Sequence, residues 1–150
     1  MSTDNIVSVT YLVFGEKGRV GDWVATRVGQ YSSWGDFYAM GAEVNGKLSA
    51  GLVFNNFTPC SATVHLAISK PTRVLSELLD HAFLYAFDTC GLRRLTGLVE
   101  ANNAKSLKII KRLGFVEEGV MRQAGEDGQD IIIFALWPQN FRKGKLNGKK

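Results

Sequence analysis

TGLVEANNAKSLKIIKRLGFVEEG, residues Thr96–Gly119, is the stretch whose reading decides the fold. It predicts an apolar strand, a capped helix of about ten residues and a glycine stop. Leu95, Leu98 and Val99 lead in as a short strand. Asn102 or Asn103 then stands where a helix N-cap belongs, because its side-chain oxygen can accept a free N–H of the first turn. Leu107, Ile110 and Leu113 recur at helical spacing with Ile109 beside them, while Lys105, Lys108, Lys111 and Arg112 fill the remaining face. Gly114 falls at C′, where a left-handed residue is wanted, and Phe115 follows as an apolar contact onto the last turn.

Upstream, Ile6 to Phe14 alternates partly and reads as a first strand, followed by a turn at Gly15 to Gly18. Apolar residues at Val20, Trp23, Val24 and Val28 predict a short helix closed by Gly29, and Gln30 to Gly35 is a loop holding Tyr31 and Trp34. Phe37 to Val44 and Lys47 to Phe54 are two strands around Asn45-Gly46, a strong hairpin signal. Cys60 to Ile68 is a fourth strand, apolar at Ala62, Val64, Leu66 and Ile68, so Thr63 and His65 lie on its other face. A long helix spans Thr72 to Cys90, with Leu75, Leu78, Leu79, Ala82, Phe83, Ala86 and Phe87 on one face and Gly91 at C′. Downstream come a strand at Phe115 to Gln123, a turn at Gly125 to Gly128 and a last strand at Asp130 to Leu136.

The 150 residues are enough for one domain with a real core. The longest strongly apolar run, Ile131 to Trp137, is far short of the ~20 residues a membrane span needs. The opening residues MSTDNIV show no basic segment followed by an apolar one, so no signal peptide is expected. Cys60 and Cys90 offer neither a disulfide framework nor metal-ligand spacing, which fits a reducing cytoplasm and no metal. The net charge of +4 is unevenly placed. Residues 1–140 carry 13 bases against 14 acids; the last ten carry five bases (Arg142, Lys143, Lys145, Lys149, Lys150) and no acid. A domain over residues 1–140 and a basic tail over 141–150 follow, the tail being a solvated end or a polyanion contact.

Asn103, Ser106 three residues on, Leu113-Gly114-Phe115 ending the helix, and Glu118-Gly119 resemble the C-terminal half of the GNAT superfamily of N-acetyltransferases. Within it the chain is most similar to the branch acting on protein N-termini and to compact phage-encoded members. The resemblance spans roughly Ser61 to Trp137 and is weak before Asp36. It implies an α/β (α+β) fold: one mixed, mostly antiparallel sheet of six or seven strands, helices on both faces, and a splayed cleft between strands 4 and 5 where acetyl-CoA enters. The element order read above, β-α-β-β-β-α-β-α-β-β, fits that arrangement.

The resemblance also assigns roles. The junction of fourth strand and long helix would hold the CoA pyrophosphate, through Ile68, Ser69, Lys70, Thr72, Arg73 and Val74. A helix start offers free N–H groups and a positive dipole end there. Most members carry glycines in this loop; Ser69-Lys70-Pro71-Thr72-Arg73-Val74-Leu75 has none, so the close approach glycine permits is lost. Asn103 would contact the pantetheine arm, and Ser106 would lie near the thiol. Many members place a thiolate-protonating Tyr seven residues after the Asn; here that position is Ile110. Ser106 or water would then serve.

The acceptor amine must lose a proton before attack, and a base with pKa near neutrality suits this. His65, mid-strand in the fourth strand and titrating near the working pH, is the first candidate and Glu100, at the end of the fifth, the second; His65 also reads as a satisfied half-buried histidine and Glu100 as a surface glutamate. Two functions remain open. One is acetyl transfer from acetyl-CoA to a primary amine by direct transfer in a ternary complex, the acceptor being a protein N-terminus, a small amine or modified nucleic acid. The other is a non-catalytic or weakly CoA-binding module that works through Arg142–Lys150 on nucleic acid or protein. A monomer or homodimer in the cytoplasm, without membrane contact, is expected in either case.

Overall fold

The computed structural model describes residues 8–30, 32–70 and 72–141. The expected basic tail from Arg142, the first residues of the first strand (Ile6, Val7), Tyr31 and Pro71 lie outside the described residues.

The hairpin signal at Asn45-Gly46 is realised as two consecutive positive-φ residues, at 52° and 82°, the twist that matches flanking strands. It joins β2 (Phe37–Val44) to β3 (Lys47–Asn55). Asn45 also anchors β1 (Thr10–Val13): its Oδ1 accepts from the Val9 N–H at 2.9 Å, and its own N–H donates to the Val9 carbonyl at 2.8 Å. Between β1 and β2 runs α1 (Lys17–Val28), ended by Gly29 at φ 74°. The helix starts earlier than its apolar residues indicate, taking in Lys17 and Gly18. Arg19 pairs with Glu16 in that first turn and with Glu43 on β2, which fixes the extra turn.

β4 (Ser61–Ile68) is followed by α2 (Arg73–Leu84), whose last turn widens to a π-helical segment at Tyr85–Thr89 before Gly91 at φ 68°. β5 (Arg94–Glu100), α3 (Ala104–Arg112), β6 (Val116–Met121) and β7 (Ile131–Leu136) complete the order. All seven strands form one sheet, β1-β2-β3-β4-β5-β7-β6, antiparallel except for the β4–β5 pair.

Each face of the sheet has its own core. On one, Val20 and Val24 of α1 pack with Trp34, Val53 and Ala67. On the other, Leu75, Leu78, Leu79, Ala82 and Phe83 of α2 pack against Leu52, Phe54, Val64, Leu95 and Phe134. Burying each such side chain is worth roughly 1.5–3 kcal/mol, so the two layers hold the sheet rigid between them. α3 leans on the same face as α2 but covers less: none of its residues is fully buried, and Leu107, Ile109 and Ile110 are only partly covered.

α3 is held at both ends by the predicted devices. Asn103 Oδ1 accepts the Ser106 N–H at 3.1 Å. At the other end the Gly114 N–H donates to Lys111 O and the Phe115 N–H to Ile110 O, the paired bonds of a Schellman stop. Gly114 has φ 103°, and a Cβ there would strike the Asn140 carbonyl oxygen. Gly114→Ala should therefore lower stability by about 2 kcal/mol or more, through backbone strain and the collision. Urea denaturation reads this directly; a midpoint within error of the parent would refute the account.

Candidate functional site

β4 and β5 pair over only three positions: Ser61 with Arg94, Ala62 with Leu95, and Thr63 with Thr96. Beyond them β4 continues to Ile68 and β5 to Glu100, each still fully paired on its outer side, to β3 and β7. The two strands therefore open as a V toward their carboxyl ends. Each strand is followed by a helix, α2 after β4 and α3 after β5, and of their two N-cap residues Asn103 lines the V while Thr72 does not. The carboxyl ends of parallel strands are the usual crevice for ligands in such sheets.

The V is a cavity of about 660 Å³. Residues of both parities line it: Val64, Leu66, Gly97 and Val99 from one face of the sheet, His65, Ala67, Leu98 and Glu100 from the other. Space bounded in this way lies between strand edges and opens on both faces. On the α3 side it meets Asn103, Lys105, Ser106, Ile109 and Ile110; on the α1 side it meets Arg27, Val28 and Gln30. Gly97 is what lets α3 close down on the V, since a Cβ there would come within 2.7 Å of Ile110 Cδ1.

Six of the residues singled out from sequence share this cavity: His65, Ile68, Ser69, Glu100, Asn103 and Ser106. Lys70, Thr72, Arg73 and Val74 do not line it. Lys70 and Arg73 are exposed, and Val74, in the first turn of α2, is buried in the core. Thr72 stands at the N-cap of α2 in extended conformation but makes no capping bond, and its Oγ1 is buried without a hydrogen-bond partner among the described residues. A buried hydroxyl of that kind costs about 1–3 kcal/mol unless something accepts from it or donates to it.

His65 is not free in the cleft. Trp34 Nε1 donates to Gly21 O at 3.1 Å, Asn55 Nδ2 donates to Trp34 O at 3.2 Å, and Asn55 Oδ1 lies 2.9 Å from His65 Nε2. Because the Asn55 amide nitrogen is spent on Trp34, its oxygen must face the ring, and Nε2 carries the proton. The Trp34 ring packs on the imidazole with centroids 4.7 Å apart. Burial pushes the His65 pKa down to about 4, so the ring is neutral at physiological pH. Trp34, buried, is thus an anchor for the α1–β2 loop.

Sequence reasoning missed Arg27, Val28 and Gln30 as lining residues. Their only signal was a place near the end of a predicted helix, and the cleft reaches them because α1 crosses β3 and β4. Lys105 was visible only as part of a polar helix face. Arg27, Lys105 and Glu100 are the charged residues in the lining, two cations against one carboxylate.

The depressed histidine has a consequence for stability. Between pH 6.5 and about 4 the unfolded chain takes up a proton at His65 that the folded chain refuses. Stability from this group is complete above pH 6.5 and falls as pH drops through that window, by up to about 3 kcal/mol. His65→Gln should flatten this part of the pH dependence in urea titrations. Parallel curves for variant and parent would show that the imidazole is not held neutral.

No protein-family model matches the chain, and no curated protein matches it as a relative. Solved structures do share its fold. A dodecameric spermidine N-acetyltransferase from Vibrio cholerae superposes with a TM-score of 0.67 at 18% identity, over 85% of this chain and 93% of that one. RimJ of Mycobacterium smegmatis, in complex with CoA-disulfide, gives 0.67 at 16% identity, over 93% and 87%. A GNAT-family acetyltransferase from Streptococcus pneumoniae gives 0.65 at 20% identity, over 86% and 99%. The chain has the fold of the GNAT acetyltransferases, with a seven-stranded sheet and a single parallel pair where the cleft opens. No helix among the described residues is long and apolar enough to cross a membrane.

Proposed function

We propose that the protein transfers an acetyl group from acetyl-CoA to a primary amine, directly and within a ternary complex. The observation that carries this reading is the V between β4 and β5, lined from both faces of the sheet, with the N-terminus of α3 in its lining. Two reactants can meet in it from opposite sides. The likeness to a spermidine acetyltransferase and to a structure holding CoA-disulfide supports both the donor and an amine acceptor.

The residues fit the donor. Past Thr63 and Thr96 the facing edges of β4 and β5 lack each other as partners, so their backbone groups can bond the amides of an extended pantetheine arm. The start of α2 has no side-chain cap, and its first-turn N–H groups with the unsatisfied Thr72 hydroxyl suit a pyrophosphate. Lys70 and Arg73 add charge beside it, and Ile68, Ser69 and Val74 supply the surrounding backbone. Asn103 holds the other bank by capping α3 and faces the arm. The bound thioester supplies the activated acetyl group.

Glu100 takes the proton from the amine, directly or through a water. It lies at the end of β5, exposed, in the cleft lining and without an ion pair among the described residues. His65 lines the same cavity, but one nitrogen is committed to Asn55, and with a pKa of about 4 it is a weak base. Its free Nδ1 can still accept from a water that relays the proton. Ser106, beside Ile110, donates a hydrogen bond to the departing sulfur.

Two measurements test this. Lys70→Ala with Arg73→Ala should weaken acetyl-CoA binding in calorimetry at low salt, with the loss shrinking at high salt. Undiminished affinity would place the phosphates elsewhere. No binding at millimolar acetyl-CoA would favour the rival reading, a module that holds CoA weakly and acts through its basic tail, which the glycine-free loop supports. Separately, Glu100→Gln should lower kcat/KM by roughly 10²–10⁴-fold and leave acetyl-CoA affinity nearly intact. His65→Gln should cost less and leave the rise of rate between pH 6 and 8 unchanged, because that rise then reports the acceptor amine. A larger loss in His65→Gln than in Glu100→Gln would exchange the two roles.

A further inference from the structure

A second depression lies on the α1 side of the sheet. This groove, about 370 Å³, is lined by Arg19, Trp23, Arg27, Lys47 and Leu48, between α1 and the β2–β3 hairpin. Arg27 lines both the groove and the cleft, so one side chain borders both spaces. The guanidinium is held in place. It stacks over the Trp23 ring at 3.8 Å, and its Nη1 donates to the Trp23 carbonyl at 3.3 Å. Stacking leaves the outer edge of the fork free to donate in its own plane, the geometry that suits a carboxylate or phosphate.

The charges around it are unequal. Arg19 is neutralised by Glu16 and Glu43. No carboxylate among the described residues pairs with Arg27 or with Lys47 at the far end of the groove. The groove therefore offers two unpaired cations and, among the described residues of its lining, no acid. A polyamine acceptor would need carboxylates along this path to receive its second and third ammonium groups. Glu100 is the one carboxylate in the cleft lining, and the proposed chemistry uses it.

Resting on the acetyl-transfer reading, we propose that the acceptor is a small amine that also carries an anionic group, a carboxylate or phosphate. Arg27 receives that group where it borders cleft and groove, while the amine points inward to Glu100. Lys47 extends the reach to longer or doubly charged acceptors. Arg27 is thus a specificity-determining residue that rejects acceptors bearing a second positive charge.

The test is kinetic, following thiol release with acetyl-CoA. Putrescine and 4-aminobutyrate have equal chain length and differ in whether an ammonium or a carboxylate stands at the far end; phosphoethanolamine supplies the phosphate arm. The parent should prefer 4-aminobutyrate or phosphoethanolamine over putrescine by roughly 10–100-fold in kcat/KM, the usual worth of a charge-assisted contact. The faster of the two anionic amines identifies the group. Arg27→Gln should remove most of that preference, and Arg27→Glu should reverse it, with acetyl-CoA affinity unchanged in both. Equal rates for all three amines, or a preference for putrescine, would overturn the inference and leave acetyl transfer standing. A preference that survives Arg27→Glu would overturn the role of Arg27. No thiol release with any acceptor, despite acetyl-CoA binding, would overturn this inference together with the reading on which it rests.

Discussion

Everything functional in this fold depends on a parallel strand pair that stops after three positions. From Thr63 to Ile68 β4 is committed to β3, and from Leu95 to Glu100 β5 is committed to β7. Antiparallel ladders of that length are stiff, so the twist of the sheet is released at the shared edge between β4 and β5. The consequence is a pair of strand edges whose backbone N–H and C=O groups face a gap. Such groups must bond to something. In a central position of a sheet, with layers packed on both faces, an extended ligand carrying amides satisfies them better than loose water. The cleft is a built-in defect of hydrogen bonding, and its shape is set by what packs around it: Gly97 against Ile110 on one side, and α1 on the other.

The polar chain from Gly21 through Trp34 and Asn55 to His65 keeps that second side in place. A loop between a helix and a strand has little apolar surface of its own. Here an indole anchors it, and three hydrogen bonds tie α1, the loop, β3 and β4 together. Burial of a histidine is tolerated because it stays neutral and donates to a fixed acceptor. The same bond that makes His65 structurally useful limits what it can do as a base. Two readings that sequence kept open, a satisfied histidine and a cleft histidine, turn out to describe one residue.

The start of α2 shows the opposite arrangement. It has no capping bond, and Thr72 keeps a buried hydroxyl without a partner among the described residues. By contrast α3 is capped by Asn103 and closed by a Schellman pair. A helix that leaves its N-terminus unsatisfied beside a cleft retains stability to be gained from an anion.

Local rules of the chain were enough to determine the helix from Ala104 to Arg112 and its two ends, the Asn45-Gly46 hairpin, and the alternation that puts His65 opposite Val64. Each depends on residues a few positions apart: a cap, a positive φ, a period of two or 3.6. The boundaries that moved did so for long-range reasons. α1 begins at Lys17 because Arg19 finds Glu43 on another strand, and the Thr72–Cys90 helix ends as a wider turn at Tyr85–Thr89. That Tyr85 stacks with Tyr38 on β2 is likewise invisible in either segment alone. The site divides in the same way. Asn103, Ser106 and Glu100 were legible because one short strand–helix unit carries them. The meeting of Arg27 with the cleft, the sharing of Asn55 between Trp34 and His65, and the stranded hydroxyl of Thr72 were decided by tertiary structure, since each joins residues whose only relation is how the sheet, α1 and α2 pack.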